Sequence, residues 1–216
     1  MDFSILKNCT LCPRECRTDR TAGKLGDCRA SDQLKVARAA LHMWEEPCIS
    51  GEEGSGTVFF TGCALGCVYC QNRQISKGSA GKVITIERLA DIFLELQKMG
   101  ANNINLVTPS HYVLHIIEAL DISKRKGLTL PVVYNCSGYE KTETLKLLEG
   151  YVDIYLPDFK YMSEEPAIKY SNCKNYFPIA AKAVEEMVRQ VSETQFDDRG
   201  IMQKGVIVRH LTLPGY

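Results

Sequence analysis

The sequence predicts an α/β fold built on a parallel sheet, and three observations carry that expectation. From residue 57 onward, short β-branched or aromatic runs alternate with longer stretches of helical periodicity. The short runs are bounded by Gly, Pro or Asn, as strands commonly are. The chain has 216 residues, 45% of them hydrophobic, which suits a single domain with a buried core.

Five strands are expected: TVFF at 57–60, INLV at 104–107, PVVY at 131–134, VDIYL at 152–156 and GVIVRHLTL at 205–213. After the first, ITIERLADIFLELQKMG sets Ile86, Leu89, Ile92, Phe93 and Leu96 at helical spacing, with Thr85 as N-cap and Gly100 as stop. Residues 111–126, 141–148 and 178–191 read as further helices, and Pro178 suits a first helical turn. The order is βαβαβαβαβ. Right-handed crossovers roll such units into either an open doubly wound sheet or a barrel, and periodicity does not choose between them. In both, function gathers at the C-terminal ends of the strands. Residues 1–56 differ: they are rich in cysteine and turns, with one strand across 34–43. We therefore expect a cysteine-rich extension at 1–56 and a core domain at 57–216, with no internal repeat, low-complexity tract or linker.

Lys plus Arg and Asp plus Glu each number 26, so the formal net charge is zero and no basic field favours nucleic acid as a partner. The N-terminus is too short and polar for a signal segment, and no apolar run nears the roughly 18 residues of a membrane span. A cytoplasmic location is expected. Ten cysteines then call for a reason, because disulfides are rare where thiols stay reduced, and metal ligation is the leading one.

Three of them, Cys63, Cys67 and Cys70, lie in GCALGCVYCQN directly after the first core strand. Three thiolates on one short loop can hold three irons of a cubane and leave the fourth open, as a catalytic metal requires. The C-x3-C-x-aromatic-C spacing, with Tyr69 as the aromatic, resembles the radical S-adenosylmethionine superfamily. The resemblance implies a [4Fe-4S] cluster whose open iron chelates the amino and carboxylate groups of S-adenosylmethionine. One electron, from a donor such as a flavodoxin or ferredoxin, then breaks the S–C5′ bond, and the resulting 5′-deoxyadenosyl radical abstracts hydrogen from a substrate. It also implies a partial (β/α) barrel.

Within the superfamily, CTLCPREC, EEPCISGEEGSGTVFFTGC, INLVTPSHY, YNCSGYE, YLPDFKY and VIVRHLTLPG resemble pyruvate formate-lyase activating enzyme and its relatives with an N-terminal cysteine cluster. This implies a protein substrate on which a glycyl radical is made; a small molecule or another protein residue is the alternative substrate, and a metal-binding module without turnover the alternative class. By the same resemblance Arg209 faces the methionine carboxylate, and Asp158 and Lys160 of DFK lie in the cofactor pocket. Structural ion pairs are the bland reading of all three. Where the family has Gly-Gly-Glu, this chain has TPSHY, which leaves backbone carbonyls, the hydroxyls of Thr108 and Ser110, or water for the methionine ammonium. Where activating enzymes carry an Asp-Thr-Asn-Gly-like turn it has NCSG, so Asn135 and Ser137 are the groups for the ribose.

Cys9, Cys12, Cys16 and Cys28 follow C-x2-C-x3-C-x11-C, a closed four-thiolate set that suits either zinc or an auxiliary iron–sulfur cluster. His111 and His115 stand i, i+4 without the Glu of a zinc helix; we expect His111 at a pocket edge and His115 in packing. SGEEGSG lacks the Lys-Ser/Thr ending of a phosphate loop and reads as a turn into the first core strand. The family barrel continues with another helix and a sixth strand, so the fold is expected to be truncated after the fifth strand, leaving residues 206–213 as an exposed apolar edge.

Overall fold

A computed structural model describes residues 1–215. After a short 3-10 turn (Ser4–Asn8) come β1 (Lys35–His42), α1 (Pro47–Ser50), β2 (Ser55–Phe60), α2 (Arg73–Ser76), β3 (Lys82–Val83) and α3 (Ile86–Lys98). β4 (Ile104–Val107), α4 (Val113–Arg125), β5 (Val132–Cys136), α5 (Thr142–Lys146) and β6 (Ile154–Pro157) follow. The last elements are α6 (Glu164–Ser171), α7 (Tyr176–Val191), β7 (Gln195–Phe196) and β8 (Met202–Val206).

One sheet of eight strands runs in the order β3-β1-β2-β4-β5-β6-β8-β7. β2, β4, β5, β6 and β8 are parallel and follow one another in chain order. On one face, Val58, Phe60, Ile104, Leu106, Val132, Tyr134 and Tyr155 pack against Leu89 and Phe93 of α3, Ile116 and Leu120 of α4, and Met187 of α7. On the other, Val133, Ile154 and Leu156 meet no long helix; Ile49 of α1 and Met202 close over them. The parallel strands do not reverse their order and the long helices lie on one face, unlike a doubly wound sheet, which reverses its strand order and is covered on both faces. The edge strands β3 and β7 do not pair with each other, so the sheet is open.

The expected α3 is present with its cap, since Thr85 Oγ1 accepts the Arg88 amide at 3.1 Å. β1 matches the strand expected in the extension and pairs antiparallel with β2, so strand pairing runs across the boundary drawn at residue 56. The last expected strand needs correction. Regular pairing covers Met202–Val206 and not 205–213, although the amides of Ile207 and Arg209 still reach Tyr155 O and Pro157 O at 2.9 Å. The outer edge of β8 is covered by β7 through a hairpin whose turn is held by Asp197 Oδ1, accepting the Arg199 and Ile201 amides at 3.0 and 2.9 Å. β7 thus covers β8 only at Met202 and Lys204, ahead of the expected edge at 206–213, where Val208 and Leu211 are exposed. Among the described residues no helix is long and apolar enough to cross a membrane.

Candidate functional site

The cysteine loop leaves the end of β2 through a constrained turn. Gly62 has φ of +98°, and a Cβ there would stand 2.5 Å from Cys28 O, so only glycine fits. Cys63 donates its amide to that same carbonyl at 2.9 Å. His111, 2% exposed, holds the preceding residue by donating Nε2–H to Thr61 O at 2.8 Å. Burial, only partly offset by this bond, lowers its pKa to about 3. The expected pocket-edge role for His111 is corrected: the residue is an interior strut, because the strand end folds over it. His115 is likewise buried, donating to Asp32 O at 2.7 Å.

Cys63, Cys67 and Cys70 are all half-buried and free. Two of their sulfurs already accept hydrogen bonds, Cys63 Sγ from the Gly66 amide at 3.5 Å and Cys67 Sγ from Ser171 Oγ at 2.9 Å. Burial pushes the Cys63 thiol up, opposed by the Gly66 and Leu65 amides. Ser171 also meets Tyr161 OH at 2.6 Å, and Tyr161 meets Tyr69 OH at 2.5 Å, so a chain of hydroxyls joins Tyr69 to Cys67. α6 brings Ser171 there, and Tyr170 O accepts the Val68 amide at 2.9 Å. A cavity of about 340 Å³ opens beside the loop, lined by Arg14, Asp27, Arg29, Leu65 and Asn172. Among the described residues no three His, Cys, Asp or Glu side chains stand together as a finished metal site. The donor set nevertheless fits a soft metal centre: three thiols on one pinned loop, with hydrogen-bond donors already aimed at two sulfurs.

On the sheet face without long helices, the strand ends carry a polar network centred on Arg209. Its Nε donates to Asp158 Oδ1 at 2.9 Å, Nη1 to Glu45 Oε1 at 2.7 Å and Nη2 to Asn135 Oδ1 at 2.7 Å. Glu45 Oε2 accepts from Asn105 and Asn135, both at 3.0 Å, and Lys160 Nζ donates to Asp158 Oδ2 at 2.6 Å. β4, the ends of β5 and β6, the run after β8 and the segment before α1 are thus tied by one guanidinium and two carboxylates. Arg209, Asp158, Lys160 and Asn135 are brought together, but each already has protein partners.

Thr108 follows β4 with φ of +58°, the left-handed region a β-branched residue rarely enters. Ser110 does not present its hydroxyl to this network. It donates to Glu140 Oε1 at 2.6 Å, and Tyr134 OH donates to Glu140 Oε2 at 3.1 Å. Glu140 is 2% exposed, and burial lifts its carboxyl to about 7 against the pull of bonds from Ser110, Tyr134 and Cys136. Ser137 contributes its carbonyl, which accepts Tyr176 OH at 2.7 Å.

In the extension, Cys9, Cys12 and Cys28 are buried and Cys16 is half-buried. Burial lifts the Cys12 thiol to about 12 and raises that of Cys28, the latter opposed by Arg20. Arg14 fastens this segment to the cysteine loop and α6 through Ala64 O, Ser171 O and Asn172 O at 3.0, 3.0 and 2.6 Å.

Sequence reasoning missed Glu45, Tyr161, Ser171 and α6. A signal for α6 was present, since Ser163 precedes two acidic residues and Pro166, a helix-start pattern. Glu45 gave none, because its partners are 60 to 164 residues away in the chain.

The description of the radical SAM superfamily matches residues 57–216. The chain belongs to that superfamily. Radical SAM membership implies a [4Fe-4S] cluster and S-adenosylmethionine, and the matched region opens on β2, the strand that delivers the three cysteines. An uncharacterized protein of Methanocaldococcus jannaschii is 31% identical over 221 residues, covering 99% of this chain and 59% of that protein. The chain thus spans about three-fifths of the length of that relative.

Proposed function

We propose that Cys63, Cys67 and Cys70 hold the [4Fe-4S] cluster and that the neighbouring strand ends of a partial (β/α) barrel, residues 57–216, receive S-adenosylmethionine. The observation that carries this reading is the position of the three-cysteine loop: at the C-terminal end of β2, on a turn fixed by Gly62 and His111, in the same sheet as the Arg209 network. When bound and reduced by a flavodoxin- or ferredoxin-like donor, the cluster supplies the electron that splits S-adenosylmethionine and so opens radical chemistry on a substrate.

The chain's own groups have separable tasks in this reading. Arg209 offers a planar guanidinium to the methionine carboxylate, in exchange for one of its present carboxylate partners. Asp158 and Lys160 flank it. Asn135 and Ser137 face the ribose, and the Thr108 turn presents carbonyls to the ammonium. Ser110 acts through Glu140, holding the loops after β4 and β5 together, and Tyr69 through its hydroxyl chain to Cys67. Cys9, Cys12, Cys16 and Cys28 form a separate metal site.

The hydrogen donor is read from resemblance to activating enzymes, which names a glycine of a partner protein. The test of the cofactor assignment is electron paramagnetic resonance of the reduced, reconstituted protein. Addition of S-adenosylmethionine is expected to shift the cluster signal, because the cofactor ligates the open iron; an unchanged signal at saturating cofactor overturns the assignment.

A further inference from the structure

Arg20 is the largest side chain in the molecule with no exposure at all. A buried guanidinium needs a negative partner, since an unpaired interior charge is strongly unfavourable. Among the described residues no carboxylate lies within salt-bridge distance of it. Its Nε and Nη2 donate to Ser31 O at 3.1 and 2.6 Å, its carbon centre stands 5.8 Å from the Tyr112 ring, and its remaining directed contact is Nη1 to Cys9 Sγ at 3.6 Å. The charge therefore points at thiols.

Two further cysteines of the same segment bring their sulfurs close to each other. One point in space, where a Cβ on Gly26 would stand, lies 3.2 Å from Cys16 Sγ and 3.5 Å from Cys28 Sγ. The backbone that carries them has little regular structure to hold it, and Glu15, Arg17 and Arg29 all take left-handed φ values of 42°, 54° and 63° without being glycine. A buried cation whose one directed side-chain contact is Cys9 Sγ, the Cys16 and Cys28 sulfurs on one side of Gly26 and a strained wrapping loop share one explanation.

We propose that Cys9, Cys12, Cys16 and Cys28 hold a single thiophilic metal centre, that Arg20 is its buried counter-charge, and that the centre fixes the start of the triad loop through Cys28 O. Four thiolates on zinc or on an oxidised [4Fe-4S] core leave roughly two net negative charges, which is the partner Arg20 lacks. Binding such a centre supplies folding energy to a segment that has little core of its own. The bond from Cys63 N to Cys28 O, at 2.9 Å, passes that rigidity to the proposed catalytic loop. The second-site reading given above is the basis here; the counter-charge and the link to Cys63 are added to it.

The decisive protein is the full chain with Cys63→Ala, Cys67→Ala and Cys70→Ala combined, purified and reconstituted anaerobically. It is expected to retain about one zinc, or about four irons with four sulfides, per chain. Either metal supports the site and tells the two centres apart; neither metal overturns it. A failure of the triad assignment reads differently, as equal metal in this variant and in the unaltered chain. Arg20→Met is expected to speed metal loss to a chelator at least tenfold, with Arg20→Lys recovering part of the retention; an unchanged rate in Arg20→Met overturns the counter-charge. If Arg20→Met does not fold, Cys16→Ser, at a half-exposed position, decides on the same chelator assay, faster loss supporting the site and an unchanged rate overturning it. Amide exchange at Cys63 is expected to rise when the centre is stripped, and unchanged protection overturns the link.

Discussion

Replacing Glu140 by Gln tests whether a buried acid under the strand-end loops is held against its own charge. Burial lifts this carboxyl from 4.5 to about 7. The folded-state value lies above the unfolded one, so the protonated acid favours folding fully below pH 4.5, and that advantage is lost as pH rises to 7. That rise, at about 1.4 kcal/mol for each tenfold change in proton affinity, gives a cost of about 3 kcal/mol above neutrality. Gln keeps the shape, accepts from one of the Ser110 and Tyr134 hydroxyls and donates to the other, and carries no charge. The variant is therefore expected to be more stable than the parent by about 3 kcal/mol at pH 8.5 and nearly equal to it at pH 4.5. His111 and His115, lowered to about 3 and 4, weaken both proteins alike as pH falls below 6.5, so the difference isolates Glu140. Urea unfolding of both chains at several pH values, at equal metal content, measures it. A difference that does not vary with pH, or a less stable variant at pH 8.5, refutes the reasoning.

Three further outcomes follow from the same geometry. Arg209→Lys loses the fork that spans Glu45, Asp158 and Asn135, so S-adenosylmethionine affinity by calorimetry is expected to fall at least about tenfold while cluster iron is unchanged. Ser171→Ala removes the donor to Cys67 Sγ and disfavours the more negative reduced cluster; redox titration is expected to show a potential lower by on the order of 40 mV, the one-electron equivalent of about 1 kcal/mol, with a smaller drop for Tyr161→Phe. Gly62→Ala forces a Cβ onto Cys28 O and is expected to cost more than about 2 kcal/mol in urea unfolding and to lower iron content, while normal iron and stability would show that the turn is not constrained as described.

Four of the five parallel strands were legible because each is a short run rich in β-branched or aromatic residues, with a helical stretch before each strand that follows β2; β8, MQKGV, was misplaced because it holds one β-branched residue. α3 announces itself through Thr85, its apolar stripe and Gly100. Short elements were not legible: β7 has two residues, and its hairpin rests on an Asp197 turn that resembles any polar loop. Which faces of the sheet carry helices needs tertiary information, since it depends on which face Ile49 covers. The C-x3-C-x2-C spacing by itself puts Cys63, Cys67 and Cys70 on one loop. The groups around it could not be read from spacing: Ser171 lies 104 residues from Cys67, and Glu45 lies 164 from Arg209. Ser110 shows the converse error, because a hydroxyl at a strand end looks available until a buried acid such as Glu140 is found beneath it.

The most direct test of the central claim is the formation of 5′-deoxyadenosine by the anaerobically reconstituted chain with S-adenosylmethionine and a low-potential reductant, compared with Cys63→Ala, Cys67→Ala and Cys70→Ala singly. The unaltered chain is expected to form the product, and each variant to form none while Cys48→Ala, Cys136→Ala and Cys173→Ala remain active. Product formation by any one of the triad variants at the parental rate contradicts the assignment of the cluster to this loop.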